Sequence, residues 1–549
     1  MKLTLLLFFL SIAISYSQTY HLVKFSDKNG NGYDISNPSA FLTQRAIDRR
    51  NRQGIAIDNK DLPITQDYIN QVRAKGATIL NRSRWYNSVT VLVNDSAVLD
   101  SIATLSFVSG IGDIEKRKSL FETEDKWGET FSKSTSNITL KSTSALNYGG
   151  SFDQINIMNG IPLHEAGYMG QGIEIAVFDA GFTGVDQLTA FDSLFANNQI
   201  LETYDFVNDD TTVYELNGHG MMVLSVMGGY LEGELIGTAP KANYRLYITE
   251  DVSAEYLVEE DNWIAAAERA DSLGVDIINS SLGYTEMDNP NESHEYADMT
   301  GDVLRISQAA DIASAKGILV VNSAGNSGSG SWYYIGAPAD GDSVMTIGAV
   351  NTSGIIADFS SRGPSADGDL KPNVSGVGEG ATLASASGGV WTGNGTSFSS
   401  PIIAGMTACL WQCLYDEATN MDIKQAVEES AHMYNNPDNN YGYGIPNYQL
   451  AHNLLTGTSL SSDYDIQYEV GPNPFTNSLQ FVFTPLNSEK ITINMYDVAG
   501  KLMTQFEKQV KEFETVKFKM EVPETISNGV YFIQIKGTYS SKVFRVVKQ

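Results

Sequence analysis

Gly395-Thr396-Ser397-Phe398-Ser399-Ser400-Pro401 is the stretch on which the fold and the chemistry turn. Small residues make a turn, and an apolar run from Ile402 to Leu410 follows. The pattern predicts a loop that delivers a hydroxyl to the start of a buried helix. Pro401 is expected in its first turn, where a missing N–H costs nothing. Alone, the stretch has two readings. It is a Ser/Thr-rich helix cap, or it holds Ser397 rigidly where a small molecule or chain can reach it.

A reactive serine needs a base, and the base needs an orienting carboxylate. Of six histidines, His219 stands between Gly218 and Gly220 and leads into the small, apolar stretch Val223–Gly229. Flanking glycines suit a backbone that another segment approaches closely. Asp179 ends the apolar run Ile173–Phe178, and Ala180-Gly181 follows as a turn. The run predicts a buried parallel strand, whose carboxyl end lies on the edge where open α/β sheets bind ligands. Asn326 falls in Asn322-Ser323-Ala324-Gly325-Asn326-Ser327-Gly328, after the apolar run Gly317–Val321. An amide there can donate to a developing oxyanion. Each piece alone also has a plain reading: a capping histidine, a turn-capping Asp, an Asn-Gly turn.

Together, in the order Asp179, His219, Asn326, Ser397, the pieces resemble the subtilases, the subtilisin-like serine proteases. The family's Asp block is similar to Val177-Phe178-Asp179-Ala180-Gly181, with Ala180 where Ser or Thr is commoner. Its His block is similar to His219-Gly220 followed by Val223, with Met221 where Thr is usual. Its Ser block is similar to Gly395–Pro401, and Asn326 falls in its Ala-Gly-Asn block. Further likenesses are Asn279-Ser280-Ser281-Leu282-Gly283, Phe359-Ser360-Ser361-Arg362-Gly363-Pro364 and Lys371-Pro372-Asn373-Val374, the last with Asn373 in place of the usual Asp. The resemblance implies a peptidase in which Ser397 attacks, His219 transfers the proton, Asp179 orients His219, and Asn326 with the Ser397 N–H binds the oxyanion. It also implies that Ser281, Leu282 and Gly283 pair with an extended substrate, and that Ala324 and Gly325 wall the pocket before the scissile bond. No cofactor is implied for catalysis. The acidic loops Asn208-Asp209-Asp210 and Glu286–Glu295 could bind structural calcium, with no ligands assigned, but their plain reading is solvated charge.

A chain of 549 residues exceeds what one core supports. Its 42% hydrophobic and 18% charged composition is that of a globular protein. The net charge of −29 argues against nucleic acid as a partner. Met1-Lys2 and the apolar run Leu3–Ile14 predict an export signal ending near Ser17, too short to span a membrane, and no later run predicts a transmembrane segment. Cys409 and Cys413, four apart in the helix after Ser397, are expected to pack as small hydrophobes. The expected fold is α/β: a subtilisin-like parallel sheet with helices on both faces, preceded by an α+β propeptide and followed by a small β-sandwich. The expected bounds are signal peptide 1–17, propeptide-like domain 18–118, linker 119–146, catalytic domain 147–455, linker 456–468 and carboxy-terminal sandwich 469–549.

In the amino-terminal part, His21–Phe25, Ser88–Val93 and Phe107–Ile114 read as strands, and Ala40–Gln53, Asp67–Lys75 and Ser96–Thr104 as helices. This order resembles subtilase propeptides and implies a segment that blocks the cleft until a cut between Lys116 and Tyr148. The carboxy-terminal part resembles the type IX secretion sorting domain of Bacteroidetes. The residues that carry this likeness are Pro472-Asn473-Pro474-Phe475, Tyr496-Asp497 with Gly500-Lys501, Gly529-Val530-Tyr531-Phe532-Ile533 and the basic end Lys542–Lys548. The implied partners are protein or peptide substrates, the chain's own propeptide and the type IX machinery, at the cell surface or outside it. A rival class is a catalytically silent subtilase-like surface binding protein. A lipase or esterase is disfavoured, because no Gly-x-Ser-x-Gly elbow surrounds Ser397.

Overall fold

The computed structural model describes residues 19–114, 129–133, 146–457, 469–483, 490–498, 500–511, 516–523, 525–537 and 541–549. The expected export signal and the greater part of both expected linkers lie outside the described residues.

The amino-terminal unit is a four-stranded antiparallel sheet in the order Thr78–Ser83, Ser88–Val93, Thr19–Phe25, Val108–Ile114. Alternation along Ser88–Val93 sends Val89, Val91 and Val93 to one face, where they pack with Ile69 and Val72 of helix Gln66–Ala74 and Ile102 of helix Ser96–Ala103. The other face carries buried polar residues. Thr90 Oγ1 donates to Asp261 at 2.7 Å, Asn81 Nδ2 to Asn262 Oδ1 at 2.6 Å, and Ser83 Oγ to Glu268 at 2.6 Å. All three acceptors lie on helix Val258–Leu273 of the next unit. The Arg-rich helix Gln44–Gln53 docks beside them: Arg49 lies 2.5 Å and Arg50 2.8 Å from Asp271, and Arg84 adds a third contact at 2.8 Å.

The central unit is built on a nine-stranded sheet. Its order is Thr130–Lys133, Val390–Asn394, Val374–Ala384, Met345–Asn351, Leu319–Ser323, Ile277–Ser280, Glu174–Asp179, Asn243–Ile248, Ile200–Asp205. The seven strands from Val374–Ala384 onward are parallel, and the first two pair antiparallel. Strand Glu174–Asp179 comes first of the seven in the chain and lies inside the sheet, so successive strands are added on both its sides. Its carboxyl end is therefore the point where the strand order reverses and a crevice opens. Along it Ile175 and Val177 face the core that holds helices His219–Gly228 and Thr396–Cys413, while Ala176 and Phe178 face the core under helices Val258–Leu273 and Arg305–Ala315. Both faces of the sheet are thus covered, as continuous apolar strands require.

The carboxy-terminal unit stacks a three-stranded sheet, Glu469–Gly471, Ser478–Phe483 and Val516–Glu521, on a four-stranded one, Leu502–Gln509, Lys490–Tyr496, Gly529–Lys536 and Ser541–Lys548. Leu479, Phe481, Ile493, Ile533 and Ile535 fill the space between them.

One local expectation changes. Pro401 is the sixth residue of helix Thr396–Cys413, beyond its first turn. A proline there cannot donate to the carbonyl four residues back, that of Ser397. That carbonyl accepts instead from Ser281 Oγ at 2.9 Å, so the gap in the helix ladder is filled by the residue just after strand Ile277–Ser280.

Candidate active site

Asp179 is fully buried at the carboxyl end of its strand. Its Oδ1 accepts from the Ala180 N–H at 2.8 Å and lies 2.7 Å from Nδ1 of His219. The histidine opens its helix, and its N–H donates to the side chain of Asn217 at 2.7 Å. Gly220 makes the approach of helix to strand possible. A Cβ there would stand 2.6 Å from the Gly181 carbonyl and 2.9 Å from Cβ of Asp179, so any larger residue would push His219 off its carboxylate. An Asn two residues before His219 is a sequence signal for such an Asx turn.

Ser397 is the second residue of its helix and is 2% exposed. Its neighbour Thr396 is tied to the loop that follows strand Leu319–Ser323. Thr396 donates to Asn326 Oδ1 through both its N–H and its hydroxyl, each at 2.9 Å. With its oxygen so held, the Asn326 side chain turns its amide nitrogen away from Thr396, on the wall of a cleft of about 450 Å³. The same cleft is lined by Ser281, Leu282, Gly283, Ala324, Gly325 and Ser397. Gly325 sits at φ +101°, a conformation that favours glycine. All the residues singled out for a substrate path therefore share one crevice with the serine, and Asp179 with His219 stands at the switch point of the same sheet. Glu250, Glu255 and Trp332 also line the crevice.

The partner of His219 on its outer side was not anticipated. Nε2 lies 3.1 Å from Oε1 of Glu129, where the sequence reading expects Ser397, and both side chains are at most 3% exposed. Burial works against a charged imidazole, but the carboxylates of Asp179 and Glu129 overcome it and hold His219 protonated well above the ordinary histidine range. No sequence signal marks Glu129: it follows a stretch without periodicity and stands just before the four-residue strand Thr130–Lys133.

Cys409 is buried and its thiol donates to the Thr238 carbonyl at 3.1 Å, while Cys413 is partly buried and neither is disulfide-bonded. Among the described residues two carboxylate groups are close enough to share a cation, Glu250 with Glu255 and Glu259, and Asp342 with Asp367 and Asp369. Neither group falls in the loops named from the sequence. Asp209 there accepts from the Tyr204 hydroxyl and Asp210 from the Thr212 N–H. No described helix is long and apolar enough to cross a membrane.

Comparison with known proteins places these features in context. A model of the subtilase family matches residues 170–444, about half of the chain. A model of the peptidase S8 propeptide domain of Bacteroidota matches residues 20–128, and one of a secretion-system C-terminal sorting domain matches residues 469–549. Subtilisin E of Bacillus subtilis is 30% identical over 295 residues, covering 53% of this chain and 68% of its own length. Subtilisin DY of Bacillus licheniformis is 31% identical over 260 residues, 46% of this chain and 83% of its own. Subtilisin of Bacillus pumilus is 30% identical over 295 residues, 53% of this chain and 94% of its own.

Proposed function

This chain belongs to the subtilase family and is a serine-type endopeptidase, and from that premise we propose that Asp179, His219 and Ser397 hydrolyse its substrates through an acyl-enzyme. The observation that carries the assignment is the buried 2.7 Å contact of Asp179 Oδ1 with His219 Nδ1, at the switch point of the sheet whose crevice also takes in Ser397 and Asn326. Ser397 Oγ adds to the scissile carbonyl carbon. His219 takes the hydroxyl proton and returns it to the leaving nitrogen, and Asp179 fixes the tautomer and stabilises the imidazolium. Asn326, its oxygen pinned by Thr396, turns its N–H donors to the oxyanion with the Ser397 N–H. Ser281, Leu282 and Gly283 lend main-chain pairing to an extended substrate, and Ala324 and Gly325 form one wall of the pocket.

The carboxy-terminal sorting domain sends the protein to secretion or the cell surface. We assign residues 1–17 to the export signal, 18–118 to the propeptide, 147–455 to the catalytic domain and 469–549 to the sorting domain, with the remainder as linkers. Labelling with a fluorophosphonate probe tests the chemistry. Mass spectrometry should place one adduct on Ser397. A folded, secreted protein that takes no label there would instead be a silent binding protein.

A further inference from the structure

We propose that Glu250 and Glu255 make the crevice beside Ser397 selective for a lysine or arginine side chain of the substrate, carried upstream of the residue next to the scissile bond. The inference deepens the proposed function: it rests on Ser397 being the nucleophile and on Ser281–Gly283 pairing with substrate. Glu250, Glu255 and Glu286 line the crevice, and among the described residues that line it there is no Lys, Arg or His. Residues 19–114 contribute nothing to its lining.

Sheet order sets where the two carboxylates stand. Leu319–Ser323, Ile277–Ser280, Glu174–Asp179 and Asn243–Ile248 are consecutive parallel neighbours. Ala324 and Gly325 follow the first, Ser281–Gly283 the second, and Glu250 and Glu255 the fourth. The strip that pairs with substrate therefore has Ala324 and Gly325 on one side and the two glutamates on the other. Neighbouring strands lie about 4.8 Å apart, so the outer two are about 14 Å apart, while an extended peptide advances about 3.3 Å per residue. A substrate whose last residue before the cut meets Ala324 and Gly325 thus brings a residue further upstream to Glu250 and Glu255.

The loop that carries them is shaped before a substrate arrives. Glu259, in the first turn of helix Val258–Leu273, accepts from the N–H groups of Asp251 at 2.7 Å and Tyr256 at 3.0 Å, and so grips both ends of the loop. Asn262 donates to the Thr249 carbonyl at 3.0 Å. The Asp288 N–H donates to the Glu255 carbonyl at 3.0 Å, which brings the loop of Glu286 alongside. Glu250 Oε1 accepts from the hydroxyls of Thr249 and Tyr284. The donors just named are neutral, so these contacts orient the carboxylates without cancelling their charge. Carboxylate oxygens of Glu250, Glu255 and Glu259 lie within 4.8 Å of one another. Tyr284 registers the field: burial first, then Glu250, Glu259 and Glu255, keep its hydroxyl protonated well above the ordinary tyrosine range. A cation relieves the repulsion among groups so close, and the ammonium or guanidinium of a substrate side chain supplies it. Glu250 is buried and Glu255 half-buried, so the attraction is stronger than at an exposed carboxylate.

The test uses the secreted enzyme and internally quenched peptides of one sequence, with Lys, Arg, norleucine or Glu placed in turn at each residue before the scissile bond. Mass spectrometry fixes the bond cleaved. At a position upstream of the residue next to that bond, Lys and Arg should raise kcat/KM over norleucine by about tenfold or more, and Glu should lower it. The preference should shrink in Glu255→Gln and disappear when Glu250→Gln is added; in Glu255→Lys, Glu should be favoured over Lys at that position. It should persist in millimolar calcium, and its loss there would make these carboxylates a metal site and overturn the inference. A probe-labelled enzyme that cleaves Lys and norleucine peptides alike, or whose preference survives Glu255→Lys unchanged, overturns this inference alone. Absence of label on Ser397 overturns it together with the proposed function.

Discussion

Two helices enter the interior beside the central sheet in opposite ways. Thr396–Cys413 is buried from Thr396 to Trp411 without one charged residue, against apolar side chains such as Val377 and Val427. Gln44–Gln53 buries Arg49 and Arg50 and meets the central unit through Asp271. Separating the first from its sheet would expose apolar surface at about 25 cal/mol per Å². Separating the second exposes guanidinium and carboxylate groups that water solvates well, so little is lost once both sides are wet. The first contact suits a permanent core. The second suits a propeptide that holds firmly and then leaves.

Ser397→Ala should have the largest effect, a loss of peptidase activity of about 10⁶-fold, the size known for the subtilisin nucleophile rather than derived from this geometry. Casein hydrolysis measures it. The same variant should keep both contacts in one uncleaved chain. In that background Asp271→Asn should cost about 3–5 kcal/mol, because Arg49, Arg50 and Arg84 lose the carboxylate they share. Release of the amino-terminal unit, followed by limited proteolysis, reports it. The mature enzyme without its propeptide should be nearly indifferent to Asp271→Asn, whereas Trp411→Ala should destabilise both forms alike by about 3–5 kcal/mol in thermal unfolding. Equal effects of Asp271→Asn on both forms would break the contrast.

Acid offers a gentler probe. Burial tends to raise the Asp271 carboxyl, but Arg50, Arg84 and Arg49 outweigh it and hold it below the ordinary aspartate range. A carboxylate lowered by folding stabilises above its unfolded pKa, and that contribution disappears as pH falls through the folded value. The docked unit should therefore survive mild acid and detach only below the ordinary aspartate range, seen as a late onset of proteolysis in a pH series. The smallest effect belongs to Thr90→Val, which removes one buried donor to Asp261 and should weaken docking by about 1–3 kcal/mol.

The same contrast explains what the sequence could tell. Strands with two apolar faces, such as Glu174–Asp179, announce themselves by unbroken hydrophobicity, and the blocks around Asp179, His219, Asn326 and Ser397 were legible because their glycines and small residues are needed for close approach. Thr78–Ser83 was missed because its buried residues, Asn81 and Ser83, are polar; they face a partner helix, not a core. Leu502–Gln509 gives no strand signal, because none of its residues is buried. Val374–Ala384 gives no unbroken hydrophobic run, because glycines interrupt it at Gly376, Gly378 and Gly380. A Cβ on Gly378 would stand 2.7 Å from the Gly395 carbonyl, so what looks like loop composition is clearance for the serine turn. Glu129 gave no signal, since a contact across 90 residues leaves no local periodicity.

Pro401 carries a further meaning for how this enzyme answers its substrate. By withholding an N–H, it leaves the main-chain oxygen of Ser397 to Ser281, the first residue of the stretch proposed to pair with the incoming peptide. The backbone of Ser397 is thus moored to Ser281, not wholly to its own helix. If Ser281–Gly283 pairs with substrate as proposed, a polypeptide that shifts this stretch would also pull on the backbone of Ser397. Replacing Pro401 by alanine would restore a competing helical donor and loosen that mooring, so recognition and reaction would be less tightly joined.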